Sequence, residues 1–260
     1  MNLNYQALLF SSSCKITGMD TLVTQIRERY QQTLESIAAA ARASGREPDS
    51  VRLVVVTKAQ PLKVVQAAVQ AGARILGENY PEESVSKILA IESEIGVEWH
   101  MIGHVQSRKA RLVIEHFDLL QSLDSLKLAE RLNRMALEAG RILPVMLELN
   151  VGGEESKYGW PAAQEMDWPA LHPVIETILG LENLQIRGLM TMPPLETDPE
   201  AARVYFRTLR LLRDHLAVRY PQADWRELSM GTSADYEVAV QEGATLVRIG
   251  TAIVGARPDR

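Results

Sequence analysis

Two cations interrupt apolar runs in this sequence. Lys58 closes "VRLVVVTK", and Arg248 sits inside "TLVRIGTAIVG". A free lysine, with a pKa of about 10.4, is neutral in only about one molecule in a few thousand at pH 7. Desolvation at the end of a buried strand disfavours the ammonium and supplies the free amine that a Schiff base with a carbonyl compound needs. The plainer alternative is a lysine that has surfaced into solvent. For Arg248 the choice lies between a ligand at the end of its strand and a core carboxylate such as Glu148. Just after it, "GTA" offers the backbone N–H groups of Gly250 and Thr251, with a glycine that allows close approach. Upstream, "SMGTSADYE" groups Ser229, Gly231 and Ser233 ahead of a helix. These three read equally well as turn and capping residues, but together with "GTA" they favour phosphate binding.

The elements that must position these groups alternate along the chain. From Met19 an amphipathic helix opens, "MDTLVTQIRERYQQTLESIAAAARASG", ahead of eight strand candidates. These are "RLVVVTK", "RILGENY", "EWHMIG", "LLQSLDS", "LPVMLELNVG", "QIRGLMTM", "WRELSMG" and "TLVRIGTAIVG". A helical pattern follows each of the first seven, and Pro61 and Pro81 stand where a first helical turn accepts proline. Three junctions, "QAGARIL", "EAGRILPV" and "QEGATLV", each end a helix at glycine and enter a strand. The strands are apolar on both faces, as parallel strands covered by helices are. No GxGxxG supports the competing doubly wound sheet. The expectation is an α/β fold: a single (β/α)8 TIM barrel over residues 19–260 with an extra N-terminal helix. Residues 1–18 are expected to be a flexible tail or a start-site extension. In such a barrel the C-terminal strand ends carry the site, and the loops after strands seven and eight are common phosphate cradles. By the period of two, Val54, Val56 and Lys58 share a face, as do Leu246, Arg248 and Gly250.

A Schiff-base lysine on strand one, a cation on strand eight and a phosphate cradle beside it match the aldehyde, pyridine ring and phosphate of pyridoxal 5'-phosphate (PLP). Six segments, in order, carry a resemblance over nearly the whole chain: "VVVTKAQP", "GENYPEE", "EWHMIGHVQSRK", "LNVGGEESKYGW", "IRGLMTMPP" and "LSMGTSADYEVAVQEGATLVRIGTAIVGAR". From about Met19 to Arg257 the sequence closely resembles the YggS/PROSC family of pyridoxal-phosphate homeostasis proteins. The resemblance implies the fold type III barrel shared with the alanine racemase N-terminal domain. It implies PLP held on Lys58, Asn79 beside the cofactor and Arg248 facing the pyridine nitrogen. Ser229, Gly250 and Thr251 would bind the phosphate, with Ser233 as an extra contact. A guanidinium only donates, so the ring nitrogen facing it stays unprotonated, a weaker electron sink that suits holding the cofactor. The sequence departs from the family at His104, where many relatives have proline. It departs again at Tyr158 and Trp160, which follow the usual Ser156–Lys157 pair, and the stretch from Trp160 to Leu179 is longer than the barrel needs.

The expected function is therefore PLP binding in vitamin B6 homeostasis and amino-acid balance, with little or no catalysis. PLP-dependent apoenzymes are the partners implied, and a cytoplasmic monomer is the expected setting. The rival is an amino-acid racemase. That activity would call for a second, β-rich domain supplying a tyrosine base, and this chain stops at Arg260, directly after strand eight. A Schiff-base aldolase explains Lys58 but leaves Arg248 idle. A glycosidase could draw on Glu78, Asp124 and Glu148, yet aromatic residues are only 5% of the chain, thin for sugar stacking. The pair His100 and His104 lacks a third metal ligand. Composition agrees: 46% hydrophobic and 23% charged residues can bury a large core. A net charge of −5 gives no support to nucleic-acid binding, and no apolar run approaches the ~18 residues of a membrane span. The single cysteine, Cys14, excludes an internal disulfide.

Overall fold

The computed structural model describes residues 18–91 and 96–257. Apart from Gly18, the tail expected over residues 1–18 lies outside the described residues. Helix α1 (Gly18–Ala43) buries Val23, Ile26, Ile37 and Ala41. Eight parallel strands follow: β1 (Arg52–Val56), β2 (Ile75–Glu78), β3 (Glu98–Met101), β4 (Leu119–Leu123), β5 (Leu143–Asn150), β6 (Leu184–Met190), β7 (Glu227–Ser229) and β8 (Leu246–Ile249). Each pairs with the next, and β8 pairs with β1 in the register Val54↔Arg248, which closes the sheet into the expected (β/α)8 barrel. A two-residue strand at Trp160–Pro161 adds to the outer end of β5.

The helices between strands are α2 (Leu62–Gln70), α3 (Pro81–Ile91), α4 (Ala110–His116), α5 (Leu126–Glu138), α6 (His172–Leu179), α7 (Arg203–Arg219) and α8 (Tyr236–Gln241). Three of them, α2, α5 and α8, end in one and the same closure. The N–H groups of Ala73, Arg141 and Ala244 reach back five residues to the carbonyls of Ala68, Ala136 and Ala239. The glycine just before each has positive φ: Gly72 at 115°, Gly140 at 63° and Gly243 at 102°. That geometry favours glycine, which explains the repeated junctions in the sequence.

One correction concerns the last strand. The run "TLVRIGTAIVG" reads as a single strand, but β8 stops at Ile249 and α9 (Thr251–Val254) follows at once. The carbonyl of Gly250 accepts from the N–H groups of Ile253 and Val254, and these two side chains are buried while Thr251 and Ala252 are exposed. Tertiary packing overrides the strand propensity of Thr, Ile and Val. Helix α1 packs on α2, α8 and α9, across the outside of the seam where the first and last strands meet.

The apolar core has two parts. The larger fills the layer between sheet and helices, and the smaller comprises Val54, Ile75, Leu119, Met146, Met190 and Leu246, one from each of six strands. The smaller group plugs the inside of the barrel, as the alternation of strand side chains requires. On the same inward faces, Val54 leads to Lys58 and Leu246 to Arg248.

Candidate functional site

A cleft of about 820 Å³ opens at the C-terminal ends of the strands, and Lys58, Asn79, Glu148, Ser233, Arg248, Gly250 and Thr251 all line it. Lys58 lies two residues past β1, in a turn closed by the Gln60 N–H on the Thr57 carbonyl at 3.1 Å. The third residue of that turn, Ala59, has φ of 58°, the only positive value among the described non-glycine residues. Left-handed backbone costs an alanine of order 1 kcal/mol or more. Beneath the turn is a buried network. Thr57 Oγ1 donates to Glu78 Oε1 at 2.8 Å, and Lys87 Nζ donates to the same oxygen at 2.8 Å and to the Thr57 carbonyl at 3.0 Å. Lys87 thus neutralises Glu78, while Lys58 projects into the cleft. Burial holds the Lys58 amine below the usual lysine range, and the charges of Arg257 and Arg248 push it the same way against the pull of Glu78.

Arg248 is buried, at 3% exposure. Its Nη1 donates to Ser229 Oγ, its Nη2 donates to the Thr191 carbonyl at 2.7 Å, and the same Nη2 lies 2.9 Å from Met192 Sδ. Burial lowers it to about 10, well above neutral pH, so it remains a cation. Glu148 faces it at longer range, through charge rather than contact. Burial and the neighbouring charge of Asp124 raise Glu148 to about 7, despite the opposing effect of Arg248.

The loop after β7 takes its shape from Gly231, at φ 92°, where a Cβ would press on Tyr236 Cα at 2.9 Å. Asp235 Oδ1 then accepts from the Thr232 N–H at 2.6 Å and from the Thr232 hydroxyl at 3.1 Å. Turn stabilisation therefore falls to Thr232 and Asp235, and Ser233 is left on the cleft wall. Beside it, Gly250 admits Val56: an added Cβ would meet the Val56 carbonyl oxygen at 3.1 Å. The first N–H groups of a helix lack an intrahelical acceptor, and α9 begins here with Thr251. Asn79, one residue past β2, holds a buried Oδ1 with no protein partner. A cleft with a desolvated amine, a fixed guanidinium, an orphaned amide oxygen and a small-residue corner at the start of a helix suits an anionic, carbonyl-bearing aromatic ligand.

Of the residues singled out in the sequence, Ser229 stands apart. It is fully buried at the end of β7, it does not line the cleft, and its hydroxyl serves Arg248 and Gln121. Asp124 is a hydrogen-bond partner at the mouth, with Oδ2 at 2.5 Å from His104 Nδ1. The His104 ring stacks on Tyr158, centroids 3.9 Å apart and planes 9° from parallel. These two departures from the family pattern therefore meet each other on the rim. Among the described residues no group of three or more His, Cys, Asp or Glu could hold a metal. Thr191, Met192, Gln121 and the Lys87–Glu78 pair were not foreseen. The signal available for Gln121 was a polar residue in the otherwise apolar run "LLQSL".

Residues 30–258 match the family model described as "Alanine racemase, N-terminal domain". A pyridoxal phosphate homeostasis protein from Vibrio alginolyticus is 40% identical over 234 residues, covering 87% of this chain and 97% of the relative. The chain belongs to the family of pyridoxal phosphate homeostasis proteins, built on the alanine racemase N-terminal-domain fold. The homeostasis protein of Escherichia coli K12 is 38% identical over 238 residues, covering 90% of this chain and 98% of its own. Among solved structures, PipY of Synechococcus elongatus PCC7942, determined with PLP bound, is 37% identical with a TM-score of 0.72, covering 84% of this chain and all of PipY. Alanine racemase of Clostridium difficile 630 shares the fold at 16% identity and a TM-score of 0.66, covering 91% of this chain and 58% of the racemase.

Proposed function

We propose that this member of the homeostasis family binds PLP through a Schiff base on Lys58 and acts in vitamin B6 homeostasis, without robust catalysis. The observation that carries the reading is the pairing across one cleft of a desolvated Lys58 with a buried, fixed Arg248. PLP supplies an aldehyde for the amine, a pyridine nitrogen and a phosphate. Lys58 presents the amine, and Arg248 presents a permanent donor to the ring nitrogen. Ser233, Gly250 and Thr251 offer the phosphate a hydroxyl and backbone N–H groups, and Asn79 lies beside the ring. Ser229 acts behind the site, holding Arg248. A donor-only partner leaves the ring a weak electron sink, which favours storage over carbanion chemistry, and the names of the relatives support the same role.

The reading extends to a cytoplasmic monomer that serves PLP-dependent apoenzymes. A single cysteine and a net charge of −5 fit that setting, and no described helix is long and apolar enough to cross a membrane. Tyr80 and Tyr158 on the cleft wall are the groups a racemase would need to recruit, so amino-acid racemisation is the activity to assay.

The test is the visible spectrum of purified protein beside a Lys58→Ala variant, followed by borohydride reduction and peptide mapping. The expected result is a yellow wild type, complete loss of the Schiff-base band in the variant and a reduced adduct on Lys58. A wild type that stays colourless with added PLP overturns the assignment, and rapid racemisation on the same sample overturns the non-catalytic role.

A further inference from the structure

The inside of the barrel holds a line of polar side chains that continues from Arg248 to the opposite mouth. Arg248 Nη1 donates to Ser229 Oγ, and Ser229 Oγ donates to Gln121 Oε1 at 2.6 Å. Gln121 Nε2 meets His100 Nδ1 at 2.8 Å, and His100 Nε2 lies 3.4 Å from Glu98 Oε2. Arg248, Ser229, Gln121 and His100 are all buried, at 3%, 0%, 0% and 1% exposure. The Glu98 side chain, at 52%, reaches the solvent at the far end. The line crosses the lumen from β8 and β7 to β4 and β3, touching no residue of the cleft except Arg248.

One direction satisfies every donor and acceptor along it. A guanidinium donates and cannot accept, so Ser229 must accept from Arg248 and spend its single hydrogen on Gln121 Oε1. The other end of the Gln121 amide is then an NH₂ group, which only donates. His100 Nδ1 must therefore be the acceptor, and the imidazole hydrogen belongs on Nε2, facing the Glu98 carboxylate. A flipped Gln121 amide would leave the Ser229 hydrogen without its acceptor and, by calling for hydrogen on Nδ1, would set a bare His100 Nε2 against the Glu98 carboxylate.

We propose that His100 and Gln121 are positioning residues for Arg248, with His100 locked as the Nε2–H tautomer by the charge at the other end of the line. They fix the guanidinium without touching the ligand. Their bearing on PLP rests on the reading above, whereas the tautomer does not.

Two measurements test this. Histidine labelled with ¹⁵N in the PLP-free protein reports the tautomer directly, with the His100 signal assigned by its loss in His100→Asn. The expected form is Nε2–H with a bare Nδ1; an Nδ1–H tautomer overturns the line's direction. PLP titrations then compare His100→Leu, Gln121→Leu and His100→Asn. The leucine variants leave a buried polar neighbour unpaired, and the expected loss is about 10-fold in PLP affinity, with a displaced Schiff-base band. Asparagine keeps an acceptor where Nδ1 was, so it is expected to restore both. Leucine variants that match wild type in affinity and band overturn the positioning role, as does an asparagine variant no better than leucine. Should the leucine variants not fold, the asparagine variant and the wild-type tautomer still decide. A wild type that binds no PLP defeats the function proposed above and leaves the tautomer to judge the line.

Discussion

The two mouths of this barrel treat charge in opposite ways. At the N-terminal mouth the arginines are matched. Arg52 meets Glu227 at 2.8 Å, Arg187 meets Asp224 at 2.9 Å, and Arg226 meets the same carboxylate at 2.6 Å. Asp224 falls to about 2, with the Arg226 hydrogen bond as the main cause. At the C-terminal mouth some groups lining the cleft are held away from their ordinary states. Lys58 is lowered, Glu148 is raised to about 7, and one buried oxygen each of Asn79 and Asp124 has no protein partner. One closed sheet, parallel throughout, thus has an end arranged for stability and an end whose unmet interactions are available to a ligand.

Glu148 offers the largest test of that contrast. Its carboxyl titrates near 4.5 when unfolded and at about 7 when folded. Between those values the folded state binds more protons, so stability falls as pH rises through the window and the full penalty is present above it. Glu148→Gln removes the ionisation. In urea unfolding of PLP-free protein, the variant is expected to gain about 3 kcal/mol on wild type above pH 7 and to converge with it below pH 4.5. A constant difference across that range would mean that the C-terminal mouth is no less settled than the other. Ala59→Gly gives a smaller effect. Relief of the left-handed alanine beside Lys58 is expected to raise stability by about 1 kcal/mol, offset in part by glycine's greater freedom when unfolded. No gain would remove the claim of stored strain at the lysine turn. Arg52→Gln at the other mouth gives the smallest. Its partly exposed pair with Glu227 is expected to contribute below about 1 kcal/mol, to fade with added salt and to leave PLP affinity unchanged.

The same contrast separates what could be read in the sequence from what could not. Residues governed by local rules were legible. Gly72, Gly140 and Gly243 announced their helix ends, and strand parity placed Lys58 and Arg248 on the inward face at the right mouth. Residues governed by neighbours across the lumen were not. Ser229 shares the parity expected of a ligand-facing residue, yet the stagger of the strands sets Gln121 and Arg248 against it and removes it from the cleft. His100 and His104, four apart, point into unlike surroundings, one to Gln121 inside and one to Asp124 and Tyr158 on the rim. The helix at Thr251–Val254 was hidden by β-branched residues, because its fold depends on how Ile253 and Val254 pack rather than on their propensity.

Gln60 Nε2 donates to the carbonyls of Gly255 and Ala256, both at 3.2 Å, so the turn that bears Lys58 is tied to the residues just after the last described helix. Lys58 and Arg248 come from strands that are neighbours in space and almost two hundred residues apart in sequence. A ribosome emits them about 10–40 seconds apart at about 5–20 residues per second. Throughout that interval a nascent chain can fold its early helices, but the Lys58 amine has neither the latch nor the neighbouring cation. The cleft that sets these two cations together is thereby incomplete until β8 has been made and paired with β1.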